Sequence, residues 1–175
     1  LEENKILKEV GYYNSQNYYL KDGYYYGENL KLGKNIIIEP LVRIGNNVEV
    51  GDNTIIKSGA TINNNVQIGN NCYIRENSVI GGEGFGLETD TDGKTYRIPH
   101  IGGVEIGNFV EVGALTTVCS GTIEKTVVKD YVKIDDHVHI AHNVVLEEGV
   151  LIVAGTVIGG STRIGKNSRT APNTA

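Results

Sequence analysis

The fold is decided by residues 32–80, which read LGKNIIIEPLVRIGNNVEVGDNTIIKSGATINNNVQIGNNCYIRENSVI. Every sixth residue of this stretch, beginning with the first, is Leu, Ile or Val, and the series runs through nine sites without interruption. The same step resumes over residues 106–118, slips by four residues, and continues over residues 128–170. A period of six fits neither an amphipathic helix nor a simple alternating strand. It is typical of the hexapeptide repeats that form a parallel β-helix.

Three hexapeptides make one triangular coil of 18 residues, and successive coils are expected about 4.8 Å apart. A small or β-branched residue follows each aliphatic site by four positions, which predicts two inward side chains in every hexapeptide. Gly often follows the aliphatic residue directly, as in Ile44-Gly45, and Asn pairs such as Asn46-Asn47 come next. We expect both residue types to adopt the positive φ values that tight corners can require.

Two segments fall outside the repeat. Residues 1–31 are rich in Tyr and are predicted to be a cap or the remnant of a small N-terminal domain, because repeat stacks need capped ends. Residues 32–175 form the predicted β-helix domain, whose C-terminal end is expected to be truncated. A loop insertion at about 81–105 interrupts it, and such insertions are frequently binding elements, so Phe85 is a candidate substrate contact.

Composition limits the kinds of partner, site and location that are expected for the protein. The 175 residues carry 16 Lys and Arg against 21 Asp and Glu, a formal net charge of −5, so nucleic acid is not expected as a partner. No apolar run approaches the roughly 18 residues that a membrane span needs. The two cysteines are isolated, which predicts neither a disulfide framework nor a structural zinc site and suits a cytoplasmic location.

Three of the four histidines cluster in residues 135–143, and the repeat register directs their side chains outward or to a corner. A near-neutral imidazole on a rigid coil suits general-base catalysis. One coil after His142 lies Gly160, and one coil before it, allowing for the four-residue slip, lies Ser120. A glycine above a base leaves room for a thioester and exposes an N–H that could stabilise an oxyanion.

At these positions the chain resembles the UDP-3-O-acylglucosamine N-acyltransferases of lipid A synthesis and related N-acyltransferases of nucleotide-linked amino sugars. The resemblance covers roughly residues 32–170. It is carried by these motifs: Gly84-Phe85-Gly86, Ile98-Pro99 through Gly107, Thr116-Thr117, Val138-His139-Ile140-Ala141-His142-Asn143-Val144-Val145, Ala154-Gly155, and Gly160-Ser161-Thr162-Arg163-Ile164-Gly165.

The resemblance implies a left-handed parallel β-helix and a homotrimer with active sites between subunits. It also implies transfer of an acyl group from acyl carrier protein or coenzyme A to the amine of a nucleotide-linked amino sugar, for lipid A or surface polysaccharide synthesis, without a permanently bound cofactor. In that family the histidine matching His142 is the general base, and the glycine matching Gly160 supplies the oxyanion N–H.

Further substrate-binding residues are predicted around this pair. His139 is expected to hold the acceptor and Asp135 to orient an imidazole, while Ser120 lies under His142 in the register. Arg163 and Lys166 belong to a basic strip that could meet a donor phosphate.

Two other functions stay open at this point. In a zinc enzyme of the γ-carbonic-anhydrase type, two histidines separated by four residues bind the metal, and His137 and His142 have that spacing. The third ligand would be His100 or His139. A non-catalytic β-helix that only binds partners is the other alternative.

Overall fold

The computed structural model describes residues 18–175, so the predictions for residues 1–17 lie outside the described part of the chain. The chain coils through three sheets that form the faces of a prism, which we call sheets A, B and C. Their strands are parallel except for the first strand of sheet A, Tyr19–Lys21, which pairs antiparallel with the second. Every described strand is short, because each face receives only two to four residues before the next corner.

Sheet A contains β1 (Tyr19–Lys21), β2 (Tyr24–Tyr26), β5 (Arg43–Ile44), β8 (Thr61–Ile62), β11 (Val79–Gly82), β16 (Thr117–Cys119), β19 (His139–Ile140) and β22 (Val157–Ile158). Sheet B contains β3 (Lys31–Leu32), β6 (Glu49–Val50), β9 (Val66–Ile68), β14 (Val104–Ile106), β17 (Thr126–Val128), β20 (Val145–Leu146) and β23 (Arg163–Ile164). Sheet C contains β4 (Ile37–Ile38), β7 (Ile55–Ile56), β10 (Tyr73–Ile74), β15 (Glu111–Val112), β18 (Lys133–Ile134) and β21 (Leu151–Ile152). A separate hairpin joins β12 (Leu87–Thr89) to β13 (Thr95–Arg97). No stretch of residues 18–175 forms a helix long and apolar enough to cross a membrane.

The strand register confirms the predicted coil of 18 residues. Ile44 pairs with Ile62 in sheet A, and Ile140 pairs with Ile158 in the same direction. The repeating aliphatic side chains are buried inside the prism, where removal from water stabilises each Ile by about 1.5–3 kcal/mol. Parallel pairing begins with β2, earlier than the predicted boundary at residue 32.

The corners between sheets are held by a ladder of Asn and Asp side chains. The Oδ1 atom of Asn64 accepts the backbone N–H of Asn46 one coil earlier, at 2.8 Å, and similar bonds recur along the stack. The expected positive φ occurs at the second Asn of each pair, with 56° at Asn47. The expectation for the preceding glycine was wrong. Gly45 is needed because a Cβ there would lie 2.4 Å from the Asn64 Oδ1 atom.

Both departures from the period occur at the corner between sheets A and B. Between Gly82 and Gly103 the chain leaves the prism as an arm, which contains the β12–β13 hairpin and turns at Gly93. One coil later, four extra residues lie between Ser120 and β17, which accounts for the 22-residue offset from Val118 to Ile140. The predicted insertion and the predicted slip therefore lie on the same edge of the molecule.

Candidate active site at the corner between sheets A and B

His142 lies at this corner, just after β19, and is half-buried. Its Nδ1 atom is 3.0 Å from the Oδ1 atom of Asn143. The orientation of that amide is fixed, because Oδ1 also accepts the N–H and the hydroxyl of Thr122, and Nδ2 donates to the carbonyl of Glu124. Nδ1 of His142 must therefore carry the hydrogen, which leaves the Nε2 lone pair free to accept a proton.

Gly160 lies directly above the His142 ring, as the register predicted. A Cβ added at Gly160 would lie 2.7 Å from both Cε1 and Nε2 of His142. The free imidazole nitrogen of His142 and the backbone of Gly160 thus share one corner, and only glycine fits there.

The arm and His100 close the other side of His142. The rings of His100 and His142 meet edge to face, with their centroids 5.0 Å apart and an interplanar angle of 60°. A Cβ at Gly84 would lie 2.6 Å from His100 Nε2 and 3.0 Å from His142 Cβ. Burial, and secondly the neighbouring His142, lower the pKa of His100 below its ordinary value, so this imidazole stays neutral near pH 7.

The repeat gave His100 no place beside His142 because it lies in the inserted segment, where no register applies. In the sequence, His100 is marked only by its position directly after the Ile98-Pro99 motif, and it was considered from the sequence only as a candidate zinc ligand. Asn143 was also missed as the contact of the His142 ring, although it directly follows that residue.

The structure places Asp135 elsewhere. Its two carboxylate oxygens accept the backbone N–H groups of Asp136 and Ala154, at the corner between sheets C and A. Asn143, and not Asp135, therefore lies against the His142 ring. His139 is exposed on the outer face of sheet A, three residues before His142, in a position that an acceptor could reach.

Ser120 follows the predicted register but is only 4% exposed. Its N–H donates to the carbonyl of Gly82, and its hydroxyl accepts the N–H of Gly103. These two bonds tie together the ends of the arm. The observed contacts of Ser120 are therefore structural and not those of a substrate ligand.

The other predicted contacts are at the surface. Phe85 is 79% exposed at the base of the arm, where the Arg97 guanidinium lies 5.8 Å from its ring centroid. Arg163 forms an ion pair with Glu147, and Lys166 forms one with Glu148 at 3.1 Å. The predicted basic strip is thus largely neutralised by its neighbours.

A metal centre within one chain is not supported by the geometry of the described residues. Residues 18–175 contain no group of three or more His, Cys, Asp or Glu side chains arranged to hold an ion. A groove of about 410 Å³ runs along one edge of sheet B, lined by residues that include Lys31 and Glu105, and His142 does not line it.

Comparison with known proteins shows what the chain is similar to. The family model described as bacterial transferase hexapeptide (six repeats) matches residues 29–64 and 125–160. UDP-3-O-acylglucosamine N-acyltransferase 2 from Legionella pneumophila strain Lens is 48% identical over 56 residues, which are 32% of this chain and 16% of that protein. UDP-3-O-acylglucosamine N-acyltransferase 1 from Francisella tularensis is 47% identical over 60 residues, or 34% of this chain and 17% of that protein.

Solved structures resemble a larger part of the chain. The UDP-N-acetylglucosamine acyltransferase from Bacteroides fragilis superposes with a TM-score of 0.76 at 27% identity, over 86% of this chain and 57% of that one. The UDP-N-acetylglucosamine acyltransferase from Francisella novicida superposes with a TM-score of 0.66 at 26% identity, over 87% of this chain and 60% of that one. Two stretches of the chain therefore match the model of the bacterial transferase hexapeptide repeat. The chain folds as a parallel β-helix and resembles the UDP-3-O-acylglucosamine N-acyltransferases, which confirms the similarity predicted from its motifs.

Proposed function

We propose that this chain transfers an acyl group from a pantetheine thioester to the amine of a nucleotide-linked amino sugar, with His142 as the general base. The observation that carries the proposal is the pairing of His142 with Gly160. A nitrogen lone pair and a backbone N–H are the two groups that acyl transfer to an amine requires, one for the proton and one for the oxyanion.

The proposed reaction has two steps. The sugar amine attacks the thioester carbonyl while Nε2 of His142 takes one of its protons, and the N–H of Gly160 stabilises the oxyanion. The tetrahedral intermediate then collapses to an amide, the carbon–sulfur bond breaks, and the His142 imidazolium returns the proton to the leaving thiolate. The products are one amide and one free thiol.

No enzyme thiol takes part in this route. Cys119, the cysteine nearest to this corner along the chain, is buried, and burial raises the pKa of its thiol to about 11. It therefore stays protonated near pH 7 and is a poor nucleophile. Direct transfer with a histidine base avoids the need for an acyl-enzyme.

The acceptor class is proposed from the names of the relatives, which are acyltransferases of UDP-linked acylglucosamine. Acyl carrier protein or coenzyme A is the proposed donor, and His139 and Phe85 remain proposed contacts of the bound substrates. Location in the cytoplasm, where such donors are made, belongs to the same proposal.

A homotrimer with shared sites is also part of the proposal. Exposed apolar side chains surround the His142 corner, with Ile101 59% and Ile123 80% exposed. A second copy of the chain packed at this edge would bury these side chains and close the site. Sedimentation of the purified chain tests the assembly, with three copies expected.

A thiol-release assay tests the function. Acyl-carrier and acyl-coenzyme A donors are combined with a panel of nucleotide-linked amino sugars, with wild type and His142→Ala in parallel. We expect release that requires an amino sugar and falls at least about 100-fold in the variant. Equal release by both proteins would contradict the role of His142. No turnover with any pair would favour zinc analysis of the assembled protein and the binding-protein alternative.

A further inference from the structure

His100 is a buried histidine whose two ring nitrogens make no hydrogen bond. It is 5% exposed, and Nδ1 and Nε2 are the unpartnered buried side-chain atoms of residues 18–175. Buried polar groups in folded proteins are nearly always paired, so an exception beside a candidate site calls for an explanation.

The ring of His100 fills the space between the arm and His142. On one side it meets His142 edge to face, at a centroid distance of 5.0 Å. On the other side the arm backbone lies against it so closely that a Cβ at Gly84 would be 2.6 Å from Nε2, and one at Gly86 would be 2.9 Å from Cε1. The arm, His100 and His142 therefore form three layers in contact.

His142 needs such a neighbour. Its hydrogen bond to Asn143 fixes which nitrogen carries the proton, but a single bond leaves the ring plane free to rotate about that contact. The backbone of Gly160 lies over part of the ring. The ring of His100, at an interplanar angle of 60°, adds a further limit on the orientation of the His142 plane.

We propose that His100 is a positioning residue, which holds the plane of the His142 ring and makes that orientation depend on how the arm is seated. The inference rests on the proposed role of His142 as a base. It deepens that role, because it assigns the arm an effect on the chemistry through His100, without contact between the arm and the reacting atoms.

The neutral state of His100 suits this position. The titratable groups that face it are His142, Glu83 and Arg97, and burial outweighs the attraction of Glu83 in lowering the pKa of His100. A neutral ring can stay in contact with His142 while that residue becomes an imidazolium, whereas a second cation would repel it.

Kinetics give the first test. His100→Ala removes the contact, and we expect kcat to fall about 10- to 100-fold with KM changed less than about 3-fold, since a small misplacement of a catalytic group has effects of this size. His100→Phe keeps a flat ring without nitrogens and should recover about 10-fold of that loss. A loss confined to KM, or no recovery with Phe, would overturn the proposal.

A double substitution tests the link to the arm. Gly86→Ala alone should lower kcat about 10-fold or more, because its Cβ would lie 2.9 Å from Cε1 of His100, and the atoms nearest to it belong to His100 and Ile98 and not to His142. In the His100→Ala background that collision is gone, so the double variant should be no more than about 3-fold slower than His100→Ala. Thr91→Ala, at the exposed tip of the arm, is the control and should leave kcat unchanged. Independent, multiplying effects of the two substitutions would contradict the coupling.

A spectroscopic test needs no activity. Long-range ¹H–¹⁵N spectra report the tautomer of each imidazole, and the His142 signals are assigned from their loss in His142→Asn. We expect wild-type His142 in the Nδ1–H form, and shifted or broadened His142 signals in His100→Ala with those of His137 and His139 unchanged. Unaltered His142 signals would overturn the proposal. If no substrate pair is turned over, the proposed function fails while these spectra still decide whether His100 positions the ring.

Discussion

The corner between sheets B and C is regular from one coil to the next, whereas the corner between sheets A and B is interrupted twice. At the regular corner, Asp52, Asn70 and Asn108 occupy the same place in successive coils, and each caps a backbone N–H of the coil before it. At the interrupted corner, Asn46 and Asn64 form a ladder of the same kind in the first coils. In the last coils, His142 and Gly160 occupy the equivalent positions.

The difference shows how one repeat supports both stability and a site. A capping Asn uses a backbone N–H of its neighbour, while Gly160 has no side chain with which to cap the N–H of His142. The arm and the four extra residues occur at this corner alone, and they supply His100, Thr122 and Glu124 around the imidazole and its Asn143 partner. The site is thus built where the ladder stops.

The largest effect on activity is expected when the ladder residue is restored at the interrupted corner. His142→Asn installs the residue type that Asn46 and Asn64 provide at equivalent places, so the fold should persist with an unchanged or higher Tm. Acceptor-dependent thiol release should fall at least about 100-fold, because the base is gone. Calorimetry measures the Tm, and the release assay measures the loss of activity. Activity within about 3-fold of wild type would remove His142 from the mechanism.

A smaller loss is expected when the partner of the imidazole is removed. Asn143 has a φ of 58°, and glycine tolerates that conformation, so Asn143→Gly deletes the amide without straining the backbone. With the tautomer of His142 no longer fixed, kcat should fall roughly 10-fold.

Asn65→Gly is the matched control for that change. Asn65 has a φ of 59° at the same corner, and its amide serves the ladder by accepting from Asn47 Nδ2. Steady-state kinetics of the two variants side by side should show a loss for Asn143→Gly alone. Equal values of kcat would mean that the Asn143 amide is only a structural element.

The smallest effect on activity is expected at the regular corner. Asn70→Ala removes the cap on the N–H of Asp52, a bond of 2.7 Å, and should lower the free energy of unfolding by about 1 kcal/mol. Denaturant unfolding measures this change, and kcat should stay within about 2-fold. A clear loss of kcat would show that the regular corner also serves the reaction.

The sequence was sufficient for the repeat, the coil length and the position of Gly160 over His142, because all three depend only on counting residues in a constant register. It was insufficient wherever the chain leaves that register. His100 reaches His142 through the arm, whose path no period describes. The contacts of Asp135 and Ser120 also required coordinates. The register predicts in which coil and on which part of the prism a residue lies, but it does not predict the hydrogen bonds of its side chain.

The glycines show a second limit. The pattern correctly indicated tight corners, but the positive φ falls on Asn47 and its equivalents. The glycine two residues earlier is instead required by the Asn or Asp side chain of the next coil. A steric demand from a residue about 19 positions away cannot be read from a local turn motif.

The central claim, that His142 and Gly160 act together, is tested most directly by Gly160→Ala against Gly82→Ala. Neither glycine has a φ in the left-handed region, so alanine is compatible with both backbones. A Cβ at Gly82 would meet only Val79 Cγ1 at 3.3 Å and Thr117 Cγ2 at 3.6 Å, whereas one at Gly160 would be 2.7 Å from His142 Nε2. Acceptor-dependent thiol release should therefore fall at least about 30-fold in Gly160→Ala and stay within about 3-fold of wild type in Gly82→Ala, with similar Tm values. Equal activity of the two variants would contradict the account.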